Sequence, residues 1–160
     1  MSHPNVVGAS GGDTFDLGPI KLRRLVGAAQ TSGAFAMGEF SGAAGPWTVP
    51  HVHQHTEESF YVLDGAFTFT LGSDEVQVGR GSSILVPRGT RHELRAGPGG
   101  GRLLTLWVPG QLEAMFVELS QLPPGSLRDP EVRKAISASR RLSTFSTTTC
   151  RSSSIRCSRF

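Results

Sequence analysis

The chain has 160 residues, 38% of them hydrophobic, with 20 Gly and 10 Pro; that is one domain's worth of chain, with too much turn-forming punctuation for a helical bundle. The formal net charge of +3 is unevenly placed, because every acidic residue precedes position 137 while residues 137–160 carry Arg140, Arg141, Arg151, Arg156 and Arg159. The basic excess belongs to a tail rather than to a folded face, which argues against a nucleic-acid-binding domain, and no run approaches the roughly 18 apolar residues of a membrane span.

Residues 1–19 are small and polar and are expected to form a flexible arm. They show no basic region followed by an apolar run, so no secretory signal is read and the cytoplasm is the expected compartment. From Pro19 to Leu122 short apolar runs alternate with turn residues. Ile20–Val26, Ala34–Phe40, Trp47–His53, Glu58–Leu63, Phe67–Leu71, Glu75–Val78, Ser83–Val86, His92–Ala96 and Leu103–Val108 each read as a strand bounded by Gly, Pro, Ser or Asp. Strands in such number, without intervening helices, predict an all-β antiparallel sandwich or barrel.

After Gly110 the period changes. Leu112, Met115, Phe116, Leu119 and Leu122 fall on one helical stripe, expected to pack on the core. A second helix is expected from Asp129, with Pro130 at its first position. Residues 137–160 are rich in Ser, Thr and Arg and have little to bury. Cys150 and Cys157 lie in this tail at a spacing that matches no zinc site. The chain thus divides into an arm (1–19), a barrel with its packing helix (20–122) and a C-terminal helix with a low-complexity basic tail (123–160).

The chemistry is concentrated in two stretches. In the first, Gly45 to Gly65, His51 and His53 are two residues apart, so a strand turns both to one face. Glu58 follows, sharing a face with Phe60 and Val62, where its carboxylate is able to approach the pair. In the second, Gly81 to His92, a turn at Pro87 and Gly89 returns His92 to the sheet. Three neutral imidazoles and one carboxylate suit a single divalent first-row ion: Fe, Mn, Ni, Co, Cu or Zn. Four protein ligands on an octahedral ion leave two positions open for chemistry.

These two stretches resemble the two cupin motifs. The first has Gly45, five residues, His51-x-His53, four residues, Glu58, six residues and Gly65. The second has Gly81, five residues, Pro87-x-Gly89, two residues and His92. The family's pattern ends in Asn where this chain has Ala96. The resemblance covers about residues 33–110 and implies a jelly-roll β-barrel, often a homodimer, with the metal in the barrel mouth. It implies His51, His53, Glu58 and His92 as metal ligands. Glu57 competes with Glu58 by adjacency, and the six-residue count to Gly65 favours Glu58. His55 is expected in a loop, and Arg88 and Arg91 are expected at the surface.

Most of the strand aromatics are expected to fill the barrel. Trp47, Phe60, Phe67 and Phe69 are the candidates for an apolar substrate slot, Phe60 foremost because it shares a face with Glu58. The resemblance is strongest to quercetin-dioxygenase-like cupins. It implies a metal-dependent oxidoreductase acting on a small aromatic or enolisable substrate, with Glu58 as the base. The same site also suits a zinc-dependent polyketide cyclase or isomerase, or a cupin that only binds a small molecule. The expected partners are that small molecule and a second copy of the chain, with no nucleic acid and no membrane.

Overall fold

A computed structural model describes residues 4–123, 125–129, 131–132 and 135. The strands are β1 (Thr14–Asp16), β2 (Ile20–Val26), β3 (Ala36–Gly42), β4 (Gly45–Pro46), β5 (His51–Val52), β6 (Glu57–Leu71), β7 (Asp74–Gly79), β8 (Ser83–Val86) and β9 (Arg91–Val108), followed by a short α-helix, α1 (Glu113–Ser120). All pairings among them are antiparallel. The fold is the all-β jelly roll that the turn-rich composition and the paired motifs led us to expect.

Two long strands, β6 and β9, form the spine and pair along their whole lengths, from Glu57 opposite Val108 to Leu71 opposite His92. Each belongs to two layers. The first half of β6 pairs with β8 and its second half with β7. The first half of β9 pairs with β4 and β5, and its second half with β3, which continues the sheet to β2 and β1. A strand that serves both layers must bend, and β6 does so at register shifts between Val62 and Asp64 and between Gly65 and Phe67. Such bulges sharpen the twist at a barrel corner.

Gly65 shows why the corner needs glycine. It sits at φ +83°, and a Cβ there would lie 2.3 Å from the Gly100 carbonyl oxygen of the paired strand. Nothing larger than hydrogen permits that approach.

Several sequence expectations change here. Glu58–Leu63 and Phe67–Leu71 are one strand, as are His92–Ala96 and Leu103–Val108, because the intervening glycines mark bends within strands rather than turns between them. Trp47–His53 is not a continuous strand: β4 ends at Pro46 and β5 holds only His51 and Val52. Pro50 has no N–H to give a ladder, and both Trp47 and Thr48 direct their amides to the Leu94 carbonyl. The segment read as an arm contributes β1, which pairs with β2, and Leu17, which is buried.

The core lies between the layers, with Leu22, Val62 and Leu103 fully enclosed and Phe40, Trp47, Phe60, Phe67, Phe69 and Trp107 around them. Leu112, Phe116 and Leu119 pack against it from the C-terminal segment. Leu122 lies past the end of α1 and is exposed. The helix expected from Asp129 is begun at Glu131 and Val132, where Asp129 Oδ1 accepts the Glu131 amide at 2.8 Å. Pro130 and the tail with Cys150 and Cys157 lie outside the described residues.

A buried carboxylate fastens α1 to the barrel. Glu113 is 6% exposed; its Oε1 accepts from the Arg24 guanidinium and its Oε2 from the Ala28 amide, each at 2.6 Å. Arg24 also pairs with Asp13. Glu113→Ala leaves the Ala28 amide without its acceptor and Arg24 with only the exposed Asp13. We expect a loss of about 2 kcal/mol, read as a lower urea midpoint at unchanged slope; an unchanged midpoint would show that this clamp does not hold the helix.

Candidate metal centre

The site is built where the two layers meet at one end of the barrel. His51 on β5 lies directly opposite His92 on β9, and side chains paired in this way stand about 5 Å apart at their Cβ atoms. Their rings are 4.2 Å apart, and the His53 ring is 4.7 Å from that of His51 and 5.3 Å from that of His92. His53 lies just past the end of β5, and its carbonyl accepts the Gly89 amide at 2.9 Å, which ties the first motif to the turn of the second.

Glu58 arrives from the other layer. On β6 it alternates with its neighbours as period two requires: Glu58, Phe60 and Val62 face inward. Its strand partners are Trp107 and Val86, at the opposite end of β6 from the residue that pairs with His92. The carboxylate therefore reaches the imidazoles across the barrel interior, not along one sheet. Its Oε2 is 3.3 Å from His92 Nε2 and 3.5 Å from His53 Nε2. One ligand atom from each of His51, His53, Glu58 and His92 lies within 4.8 Å of all the others.

Two backbone carbonyls orient the rings. His51 Nδ1 is 2.7 Å from the Val49 carbonyl and His92 Nδ1 is 2.9 Å from that of Thr90, in each case two residues upstream. A carbonyl only accepts, so each Nδ1 carries the proton and donates it. The Nε2 atoms of both rings are thereby left for the centre, where that of His92 meets a carboxylate oxygen and that of His51 lies close by. Converging lone pairs repel unless a cation stands among them, either a proton or a metal ion. The donor set fits a divalent first-row ion with nitrogen and oxygen ligands.

The titration behaviour follows from the same packing. Burial, joined by the charges of His92 and His53, lowers the His51 pKa to about 4. Burial opposes a charged His92, but its hydrogen bond to Glu58 and the carboxylate's charge outweigh that and raise it above the ordinary value. Burial pushes Glu58 up, and the hydrogen bonds with His53 and His92 bring it well below the usual carboxylate range.

The remaining candidates fall elsewhere. Glu57 points outward and pairs with the exposed Arg88 at 3.6 Å. His55 and Arg91 are exposed. Trp47, Phe60, Phe67 and Phe69 are each no more than 3% exposed. They pack in edge-on and tilted pairs, Trp47 on Phe67 at 4.9 Å and Phe60 on Phe69 at 5.1 Å. They are the barrel's filling and present no open aromatic slot. Exposure among the four metal-compatible side chains is graded: Glu58 and His92 are buried at the back, while His51 and His53 are partly open.

One neighbour escaped the sequence reading. Trp107, counted only as barrel filling, donates its indole N–H to Glu58 Oε1 at 2.7 Å. The two are 49 positions apart, and only the β6–β9 register brings them together.

Comparison with known proteins places this geometry. A family model described as "Cupin domain" matches residues 39–109, a span that contains all four metal-compatible side chains. The chain belongs to the cupin superfamily. It is 32% identical over 114 residues to quercetin 2,3-dioxygenase of Bacillus subtilis (strain 168), a match that covers 71% of this cupin and 34% of that protein. It thus spans about a third of the length of that relative. Among solved structures, KdgF from a Halomonas species aligns with a TM-score of 0.61 at 18% identity, over 67% of this chain and 94% of that one. An RmlC-like cupin from Shewanella frigidimarina aligns with a TM-score of 0.58 at 20% identity, over 71% and 99%. These structural likenesses concern the fold alone.

Metal uptake has to expel the proton that Glu58 stabilises on His92. Because the His92 pKa is raised above 6.5, proton release per bound ion is expected to be larger at pH 6.5 than at pH 8.5. Calorimetry of Zn(II) binding in two buffers of different ionisation enthalpy measures it. His92→Ala and His51→Ala should each abolish stoichiometric binding; full stoichiometry in both variants would remove these residues from the ligand set.

Proposed function

We propose that this cupin is a metal-dependent, dioxygenase-like oxidoreductase acting on a small aromatic or enolisable substrate. The observation that carries the reading is the convergence of three imidazoles and one buried carboxylate within 4.8 Å, in a chain similar to a quercetin 2,3-dioxygenase. His51, His53, Glu58 and His92 would hold one divalent ion. When bound, such an ion supplies Lewis acidity toward an enol or phenol oxygen and, if redox-active, access to dioxygen chemistry.

The chain's own residues supply the rest. The Val49 and Thr90 carbonyls keep the His51 and His92 rings in one orientation, so neither has to reorganise during turnover. Substrate enters from the His51 and His53 side, the partly open side, and meets Glu58 at the back. Glu58 Oε2 is the atom that accepts the substrate hydroxyl proton, within the buried end of the barrel where water competes poorly.

An oxygen-electrode screen of flavonols and β-diketones tests the reading, with the protein loaded anaerobically with Fe(II), Mn(II), Ni(II) or Co(II). Oxygen uptake is expected with at least one metal. Glu58→Gln keeps an oxygen ligand but lowers basicity, and should cut kcat by about 10²- to 10⁴-fold with the metal retained. Turnover without oxygen consumption would move the assignment to a cyclase or isomerase, and no turnover across the panel would leave a binding protein.

A further inference from the structure

The structure assigns Trp107 the role of a positioning residue that limits Glu58 to one working oxygen; this rests on the ligand set proposed above. Trp107 is 1% exposed, and its indole N–H occupies Glu58 Oε1 at 2.7 Å, while Oε2 alone faces His92 and His53 at 3.3 and 3.5 Å. A carboxylate that chelates an ion must turn both oxygens toward it. With Oε1 held by the indole, that rotation costs a buried charge-assisted hydrogen bond. Glu58 then takes one coordination position rather than two, and the position it does not take stays available for substrate. A second consequence follows: the oxygen that ligates is also the one that accepts a proton, so Glu58 does one or the other at any moment.

The indole is itself fixed. Trp107 is the strand partner of Glu58. Its ring meets Phe40 edge-on at 5.9 Å and Phe116 at 5.1 Å. A Cβ at Gly38 would come within 2.5 Å of Leu22 Cδ1 and 3.3 Å of the indole Cη2, so a side chain there would crowd both. Phe116 lies in α1, so the C-terminal helix bears on the carboxylate through one aromatic contact and one hydrogen bond.

Two measurements on the full chain decide the matter. The chain has two tryptophans, hence two indole N–H signals in a ¹⁵N-resolved spectrum, and Trp107→Phe identifies one by its loss. In the metal-free protein Glu58→Gln is expected to move the Trp107 signal and leave that of Trp47, whose indole donates to the Ala43 carbonyl at 2.8 Å. Co(II) titration gives the second readout. Trp107→Phe should raise the Kd about tenfold and change the visible d–d band, yet shift the Kd less than about twofold once Glu58 is already Ala. A merely structural Trp107 would weaken binding equally in both backgrounds, and that result overturns the inference, as does an indole signal that ignores Glu58→Gln. If Trp107→Phe does not fold, the wild-type indole signal is assigned instead by its nuclear Overhauser contacts with Phe40 and Phe116, the rings it packs against, and the readout still decides. Failure of the wild-type chain to bind Co(II) overturns the ligand set and this role with it. Co(II) binding with an unmoved indole signal overturns this role alone.

Discussion

A carboxylate buried at the end of an apolar barrel is the constraint around which this molecule is arranged. Glu58 is 4% exposed, and an ionised carboxylate in such a place is tolerated only if its lone pairs are matched. The chain matches them from both layers at once. The indole of Trp107 takes Oε1, and the imidazoles of His92 and His53 stand at Oε2. Of these partners His53 alone is near Glu58 in the chain. Trp107 and His92 lie at opposite ends of β9, and a strand long enough to carry both must fold over on itself. The bend at Gly65 and the glycine-rich middle of β9 are therefore as much a part of the site as the ligands.

What could be read from the sequence was whatever depends on period and spacing within one segment. Alternation along β6 put Glu58, Phe60 and Val62 inside and Glu57 outside, as observed. The two-residue step from His51 to His53 and the Pro87–Gly89 turn before His92 gave the ligand candidates directly. The fold class followed from turn density and the paired motifs. What could not be read was register. Glycine inside a strand and glycine in a turn look alike in a sequence, so β6 and β9 were each divided in two. Consequently the route by which the carboxylate reaches the imidazoles, across the barrel, was not legible. Trp107 was missed for the same reason, since nothing local to it points to Glu58. The aromatic slot was misjudged because a strand's inward face does not tell an open wall from a filled one.

The orienting carbonyls show a different kind of legibility. Val49 and Thr90 each stand two residues before the histidine they hold, a local arrangement repeated on two unrelated segments. In each case the chain is leaving an irregular stretch and entering a strand, so the carbonyl has no ladder partner to claim it. The backbone's obligation to satisfy its own acceptors and the site's need for oriented imidazoles are met by the same hydrogen bond. This economy fixes the tautomers without any further side chain, and it leaves His51 and His92 with their Nε2 atoms directed to the centre.

Ala96 illustrates how the barrel is divided along its length. It is 4% exposed, on the same inward face of β9 as His92 and Leu94, and its strand partners are Gly45 and Phe67. A side-chain amide at that position would add a buried donor and acceptor to a region whose neighbours are aromatic, and each would need a partner. A methyl makes no such demand. Trp47 satisfies its own indole on the Ala43 carbonyl and lies edge-on to Phe67, so this end is closed by apolar packing. The opposite end holds every ionisable group of the site. The departure from the family's pattern thus falls where it alters packing and not ligation: the four metal-compatible side chains keep their spacing and convergence whatever occupies position 96, and the chemistry is confined to the end where Glu58 is held.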